Sequence, residues 1–90
     1  MKIPSQFQLA GIVWTVEFVD GLDMLGLTER DKAKIKIRKG LPRQIAEATF
    51  CHELQHAFLF TMGVPEGDHD EKEIEKYAYL LHQYLNNKGA

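Results

Sequence analysis

The sequence predicts an α+β fold in which a small antiparallel or mixed sheet packs on two helices. The first half of the chain alternates apolar and polar residues, whereas the second half repeats apolar residues at helical spacing. Gly40 and Pro42 separate the two halves. Because 90 residues are enough for only one compact unit, we expect a single domain covering residues 1–90.

Two segments of the first half are predicted strands. The first covers residues 11–19, and the second covers residues 33–38, where Ile35 and Ile37 point inward and lysines point outward. Outward lysines discourage pairing with another chain, so the second segment is predicted to be an exposed strand. Between the two segments we expect a turn, with a short strand about Leu25 and Leu27.

The second half is predicted to form two helices. The first runs from about residue 42 to 62, because proline suits a helix start while Gly63 and Pro65 favour a stop. The second runs from about residue 70 to 87 and has acidic residues in its first turns, where the helix dipole favours them. Its expected inward face consists of Glu71, Ile74, Tyr77, Ala78, Leu81, Tyr84 and Leu85.

The composition excludes several classes of protein. Hydrophobic residues make up 44% of the chain and charged residues 27%, as in globular proteins. A net charge of −2 predicts no whole-chain attraction to nucleic acid or to an acidic membrane surface. The sequence shows neither a long apolar run nor a secretory signal, and Cys51 is the only cysteine. We therefore expect a cytoplasmic protein without direct contact to membrane or nucleic acid.

Residues 52–56 read His-Glu-x-x-His, from His52 through Glu53 to His56. Positions i and i+4 share one face of a helix, so both imidazoles can reach a single ion while Glu53 stands beside it. A catalytic zinc ion uses three protein ligands and one water, whose pKa falls to roughly 7. A neighbouring glutamate can then accept the proton of that water. The motif predicts zinc hydrolysis, with His52 and His56 as ligands and Glu53 as the base.

The alternative is a chance occurrence of this motif on a partly buried helix. Two inward-facing imidazoles need a shared partner, because burying a polar group unsatisfied costs about 1–3 kcal/mol. A metal ion would be that partner. The two histidines are predicted to interrupt an apolar, core-facing stripe that consists of Ile45, Ala48, Thr49 and Leu59.

The sequence offers three candidates for the third zinc ligand. Glu71 is preferred because it lies on the predicted inward face of the second helix. Glu75, one turn later, could reach the same ion or accept a hydrogen bond from a ligand histidine. His69 could fold back from the loop that follows His56. His82 lies roughly 16 Å along the helix from Glu71, too far to share an ion, and is predicted to be a surface residue.

Several blocks of the sequence resemble the small HExxH metallopeptidases of the ImmA/IrrE type, particularly short phage and prophage members. The resemblance covers about residues 14–85, and only the HExxH block is specific by itself. The other blocks add weight through their order and spacing. They are Trp14 to Asp20, Gly26 to Thr28, Ile35 to Ile37 and Glu71 to Leu81.

The resemblance implies a minimal zincin of the gluzincin group that hydrolyses peptide bonds. In such a metalloprotease, zinc (Zn²⁺) would be bound by His52, His56 and Glu71, and Glu53 would be the catalytic base. Many of these proteins have asparagine on the second helix where this chain has Glu75, so the two glutamates could exchange roles.

The resemblance also implies a substrate and how it binds. The strand around Ile35 would border the cleft and pair with an extended protein or peptide substrate. Because family members act on transcriptional repressors, a transcriptional regulator is the expected partner.

Two alternatives stay open. A SprT-like protease, linked to DNA-associated substrates, would use His69 as third ligand, although Asp70 replaces the glycine expected after that histidine. A non-catalytic, zinc-stabilised binding module would instead fill the fourth metal position with a protein ligand such as His69 or Glu75. An enzyme would keep that position open for water.

Overall fold

A computed structural model describes residues 1–87, which form a four-stranded mixed sheet and two helices. The α+β class is therefore confirmed. Among these residues, no helix has both the length and the apolar composition needed to cross a bilayer. In chain order, the elements are β1 (Gln6–Leu9), β2 (Ile12–Val19), β3 (Gly26–Glu29), β4 (Lys34–Arg38), α1 (Arg43–Thr61) and α2 (Glu71–Asn86).

Strand β4 lies inside the sheet, whose order is β1-β2-β4-β3. It pairs in parallel with β2 and antiparallel with β3, so the prediction of an exposed strand was wrong. Its lysines pair with acids of the neighbouring strands: Lys34 Nζ lies 2.9 Å from Glu17 Oε2, and Lys36 Nζ lies 2.9 Å from Glu29 Oε1. Lysines can occupy a central strand here because one face of a mixed sheet can stay open to water. Strand β3, which pairs with β4, is an edge strand of the sheet.

Strand β1 was missed by the sequence analysis. It forms a hairpin with β2, in which Phe7 lies opposite Trp14. Both residues of the two-residue turn have positive φ, 49° at Ala10 and 81° at Gly11, as a hairpin turn of the primed type requires. Alanine rarely adopts this conformation, so the Ala10-Gly11 pair is a weak hairpin signal.

Helix α1 packs on the inner face of the sheet and forms the core with it. The ring of Phe7 stacks on Trp14 with centroids 6.4 Å apart and meets the edge of Phe50 at 6.1 Å. Burial of these apolar side chains is the main force that holds the helix on the sheet. The buried cluster consists of Trp14, Ile35, Ile37, Ala46, Phe50 and Ala57.

Helix α2 packs mainly against α1. Only Ile74 and Ala78 of its predicted inward face are buried, whereas Tyr77, Tyr84 and Leu85 are exposed. The prediction for these three residues was wrong, because a helix that rests on a single neighbouring helix buries only a narrow stripe.

His82 is not the surface residue that the sequence predicted. Its Nε2 lies 2.9 Å from Oε1 of Glu47, a carboxylate that is only 4% exposed where the two helices meet. Arg43 Nε donates to Oε2 of the same carboxylate at 2.8 Å, and Asn86 Nδ2 donates to Oε1 at 3.3 Å. The hydrogen bond from Arg43, followed by that from His82, lowers the pKa of Glu47 to about 2. Helix spacing alone cannot predict this pairing, since the partners belong to different helices.

We expect Glu47→Gln to lower the free energy of unfolding at neutral pH by about 1–3 kcal/mol, because its hydrogen bonds lose their charge. Folding lowers the pKa of Glu47 from 4.5 to about 2, so this stabilisation is present above pH 4.5 and disappears as the pH falls toward 2. Denaturant unfolding of both proteins across that range measures the effect. A difference that stays constant down to the acid end would contradict the assignment.

Candidate metal centre

Helix α1 is continuous through the His-Glu-x-x-His motif, so it presents His52 and His56 one turn apart. Their ring centroids are 5.2 Å apart. In the turn between them, Gln55 Nε2 donates to the carbonyl of Ile74 at 3.0 Å. This bond ties the beginning of α2 to the part of α1 that carries the histidines.

The start of α2 is fixed by a local cap. The carboxylate of Asp70 accepts hydrogen bonds from the backbone N–H groups of Lys72 and Glu73 at 3.1 and 3.3 Å. Glu71 is therefore the first residue of the helix, and its side chain reaches both histidines.

Three side chains meet at one point between the helices. His52 Nε2 lies 3.0 Å from Glu71 Oε2, and His56 Nε2 lies 2.9 Å from Glu71 Oε1. One ligand atom from each of the three residues lies within 4.8 Å of the others. Two imidazole nitrogens and one carboxylate oxygen form a donor set that suits a catalytic zinc ion. The preferred candidate Glu71 is thus the one brought together with the histidines.

The other two candidates lie on the outer sides of the histidine rings. Glu75 Oε2 is 3.2 Å from His52 Nδ1. His69 Nδ1 is 2.7 Å from His56 Nδ1, and its Nε2 is 3.0 Å from the carbonyl of Val64. Neither residue joins the cluster of ligand atoms.

These contacts assign the protons of the rings. The carbonyl of Val64 can only accept, so a neutral His69 carries its proton on Nε2, and its Nδ1 accepts from His56 Nδ1. Both ring nitrogens of His52 face carboxylates, Nδ1 that of Glu75 and Nε2 that of Glu71. With a metal on Nε2, the proton of His52 lies on Nδ1 and is donated to Glu75. In a neutral ring, the Nε2 of His56 then directs a lone pair toward the carboxylate of Glu71, an arrangement that repels unless positive charge lies between them.

That positive charge could be protons or a metal ion. Burial, the largest influence, lowers the pKa of His56, although the nearby carboxylate of Glu71 opposes the shift. A protonated His56 is therefore disfavoured at neutral pH. A shared divalent cation satisfies both nitrogens and the carboxylate at once, so the donor set fits a metal.

Glu53 lies between α1 and the edge strand β3, with 8% of its surface exposed. Thr28 Oγ1 of β3 lies 2.8 Å from Glu53 Oε1 and 3.0 Å from its backbone carbonyl, and its single hydrogen can serve either acceptor. Burial raises the pKa of Glu53, while the bond from Thr28 and the nearby His52 oppose this shift. A carboxyl with a raised pKa is a better proton acceptor near neutral pH.

Strand β3 reaches Glu53 only because residue 26 is glycine. A Cβ atom at Gly26 would lie 2.6 Å from Thr49 Cγ2 and 3.0 Å from Glu53 Cγ. The first distance is shorter than real Cβ contacts allow, and the second would require the Glu53 side chain to move by a few tenths of an ångström. Gly26 and Thr28 belong to a sequence block that supports the family resemblance, but no spacing rule had assigned them a role.

A groove of about 610 Å³ extends from His52 and Glu53 between β3, α1 and α2. Its apolar wall includes Leu25, Ile45 and Tyr79. Ile45 is 45% exposed, so the prediction that it belongs to a core-facing stripe was wrong. The residues of α1 that belong to the buried core cluster are Ala46, Phe50 and Ala57.

Comparison with models of protein families, with curated proteins and with solved structures found no match for this chain.

Proposed function

We propose that this protein is a zinc-dependent peptidase with a minimal zincin fold of the ImmA/IrrE type. The observation that carries the proposal is the convergence of His52 Nε2, His56 Nε2 and the Glu71 carboxylate on one point. Because the Nδ1 atoms of both rings already have partners, the Nε2 atoms are free to bind a cation.

An enzyme needs one metal position that no protein group fills. Within residues 1–87, the two alternative ligands Glu75 and His69 are engaged with Nδ1 atoms outside the cluster. This supports a hydrolase over a structural zinc module. It also argues against a SprT-like site, in which His69 would be a ligand.

The reaction would divide its tasks between the metal and the chain. Zinc, when bound, polarises a carbonyl and acidifies a water. Glu53 accepts the proton of the attacking water and donates it to the leaving amine as the peptide bond breaks. Before substrate binds, the hydroxyl of Thr28 positions the carboxylate of Glu53 through a hydrogen bond of 2.8 Å. His52 and His56 would hold the metal through their Nε2 atoms.

The substrate would be an extended segment of a protein. The resemblance implied pairing with the strand around Ile35, but that strand is central, so the pairing must shift to the edge strand β3. An apolar side chain of the substrate would enter the groove beside Leu25, Ile45 and Tyr79. Transcriptional regulators are the substrate class that the family resemblance implies.

Metal content and hydrolysis test this proposal together. We expect the purified chain to bind one zinc ion and to cleave an unfolded test protein. A chelator should stop cleavage, and added zinc should restore it. Failure to bind zinc at an excess of the metal, or cleavage that a strong chelator leaves unchanged, would overturn the proposal.

A further inference from the structure

We infer that His69 is a positioning residue that sets the tautomer of His56 and thereby the affinity of the metal site. The inference rests on the metal site of the proposed function but concerns a residue outside the ligand set. His69 belongs to the loop between α1 and α2, and it contacts the cluster only through the ring of His56.

The ring of His69 is held on three sides. Its Nε2 lies 3.0 Å from the carbonyl of Val64. The ring of Phe60 lies 4.6 Å away between centroids. The ring of His56 lies nearly in the same plane, at an interplanar angle of 21° and 4.9 Å between centroids, as their Nδ1–Nδ1 contact requires. A ring fixed in this way cannot turn its Nδ1 toward the metal without leaving His56.

The loop itself keeps His69 in this position. Gly63 has a φ of 83°, a conformation that favours glycine, and it ends α1 just before Val64. A short turn at Glu66–Asp68 then brings the chain back, and the N–H of His69 donates to the carbonyl of Glu66 at 3.1 Å. The same loop therefore delivers both His69 and the ligand Glu71.

The tautomer of His56 follows from the chain of hydrogen bonds that runs from His56 through His69 to the carbonyl of Val64. Because the carbonyl of Val64 holds the proton of a neutral His69 on Nε2, the Nδ1 of that ring accepts, and His56 donates from Nδ1. His56 is thus left with a lone pair on Nε2, the atom that faces Glu71. A histidine that donates from its outer nitrogen is also a more basic metal ligand. His52 obtains the same assistance from the carboxylate of Glu75, so the two ligand histidines use chemically different partners.

Packing alone is the competing explanation, since His69 could serve only as a flat ring between Phe60 and His56. Two variants separate the explanations. His69→Phe keeps a flat ring and removes the acceptor, whereas His69→Asn removes the ring and keeps an acceptor near the position of Nδ1. Zinc affinity at neutral pH is measured by competition with a fluorescent chelator, and unfolding of the metal-free proteins reports any general loss of stability.

We expect His69→Phe to weaken zinc binding by about 10–100-fold, with His69→Asn close to the unmodified chain. Equal affinity of His69→Phe and the unmodified chain would overturn the inference, as would a greater loss in His69→Asn than in His69→Phe. If the unmodified chain binds no zinc, both the proposed function and the role of His69 are overturned. Normal zinc binding without peptide hydrolysis would overturn the peptidase and leave the role of His69 standing.

Nitrogen NMR of the zinc-loaded, unmodified chain tests the inference even if a variant fails to fold. We expect His56 to carry its proton on Nδ1 and to bind zinc through Nε2, with His69 uncoordinated and protonated on Nε2. Coordination of zinc by His69, or by Nδ1 of His56, would overturn the assignment.

Discussion

Replacing Glu53 with glutamine is expected to lower the rate of peptide hydrolysis by about 10²–10⁴-fold without changing the amount of bound zinc. Glutamine has nearly the same shape and can still accept the bond from Thr28, but it cannot take a proton from water. Glu53 is not one of the three residues whose ligand atoms meet, so metal binding should persist. Hydrolysis of an unfolded test protein and zinc content per chain measure the two effects separately.

The matched control for this variant is Glu73→Gln. Glu73 lies on α2 outside the three-residue cluster, and its carboxylate forms an exposed pair with Lys76 Nζ at 3.5 Å. The Glu73→Gln variant should bind zinc and hydrolyse the test protein as the unmodified chain does, because exposed ion pairs contribute little to stability. If Glu53→Gln hydrolyses the test protein as fast as this control, then Glu53 is not the base.

Replacing Glu71 with glutamine is expected to remove the stabilisation that zinc gives to the fold. The three-residue cluster would lose its only negative charge, while both imidazoles stay in place. A metal that binds only the folded state stabilises it by about 2.7 kcal/mol when present at 100 times its dissociation constant. Thermal unfolding with and without zinc should therefore show a large rise in Tm for the unmodified chain and little or none for the variant.

Glu75→Gln provides the comparison that separates ligand from supporting residue. Because Glu75 contacts the outer Nδ1 of His52 at 3.2 Å, its loss should weaken zinc binding without eliminating it. The Tm of this variant should still rise when zinc is added. A greater loss of zinc stabilisation in Glu75→Gln than in Glu71→Gln would exchange the two roles.

Local patterns predicted much of this fold. The helices at Arg43–Thr61 and Glu71–Asn86 end within one residue of the predicted limits, because glycine, proline and capping residues act on their nearest neighbours. The hairpin of β1 escaped notice because Ala10 adopts a conformation that its side chain disfavours. The position of β4 inside the sheet also escaped notice, since the alternation of Ile35 and Ile37 defines a face but not a neighbour.

Local patterns likewise predicted only part of the candidate site. The one-turn spacing of His52 and His56 follows from helix geometry, and so does the position of Glu53 beside them. Only the packing of α2 on α1 distinguishes Glu71 as the candidate ligand from Glu75, because both glutamates share one helical face. Likewise, the contact between Thr28 and Glu53 joins residues far apart in the chain, and no local spacing encodes it.

The sequence by itself determined two helices, alternating strands and a pair of histidines on one helical face. These features depend on backbone geometry and side-chain preference within a few residues. Only the tertiary structure decided that Glu71 meets both histidines, that His69 and Glu75 contact their outer nitrogens, and that β3 is the edge strand beside Glu53. The physical reason is that contacts between elements depend on strand order and helix packing, which many distant apolar contacts determine together.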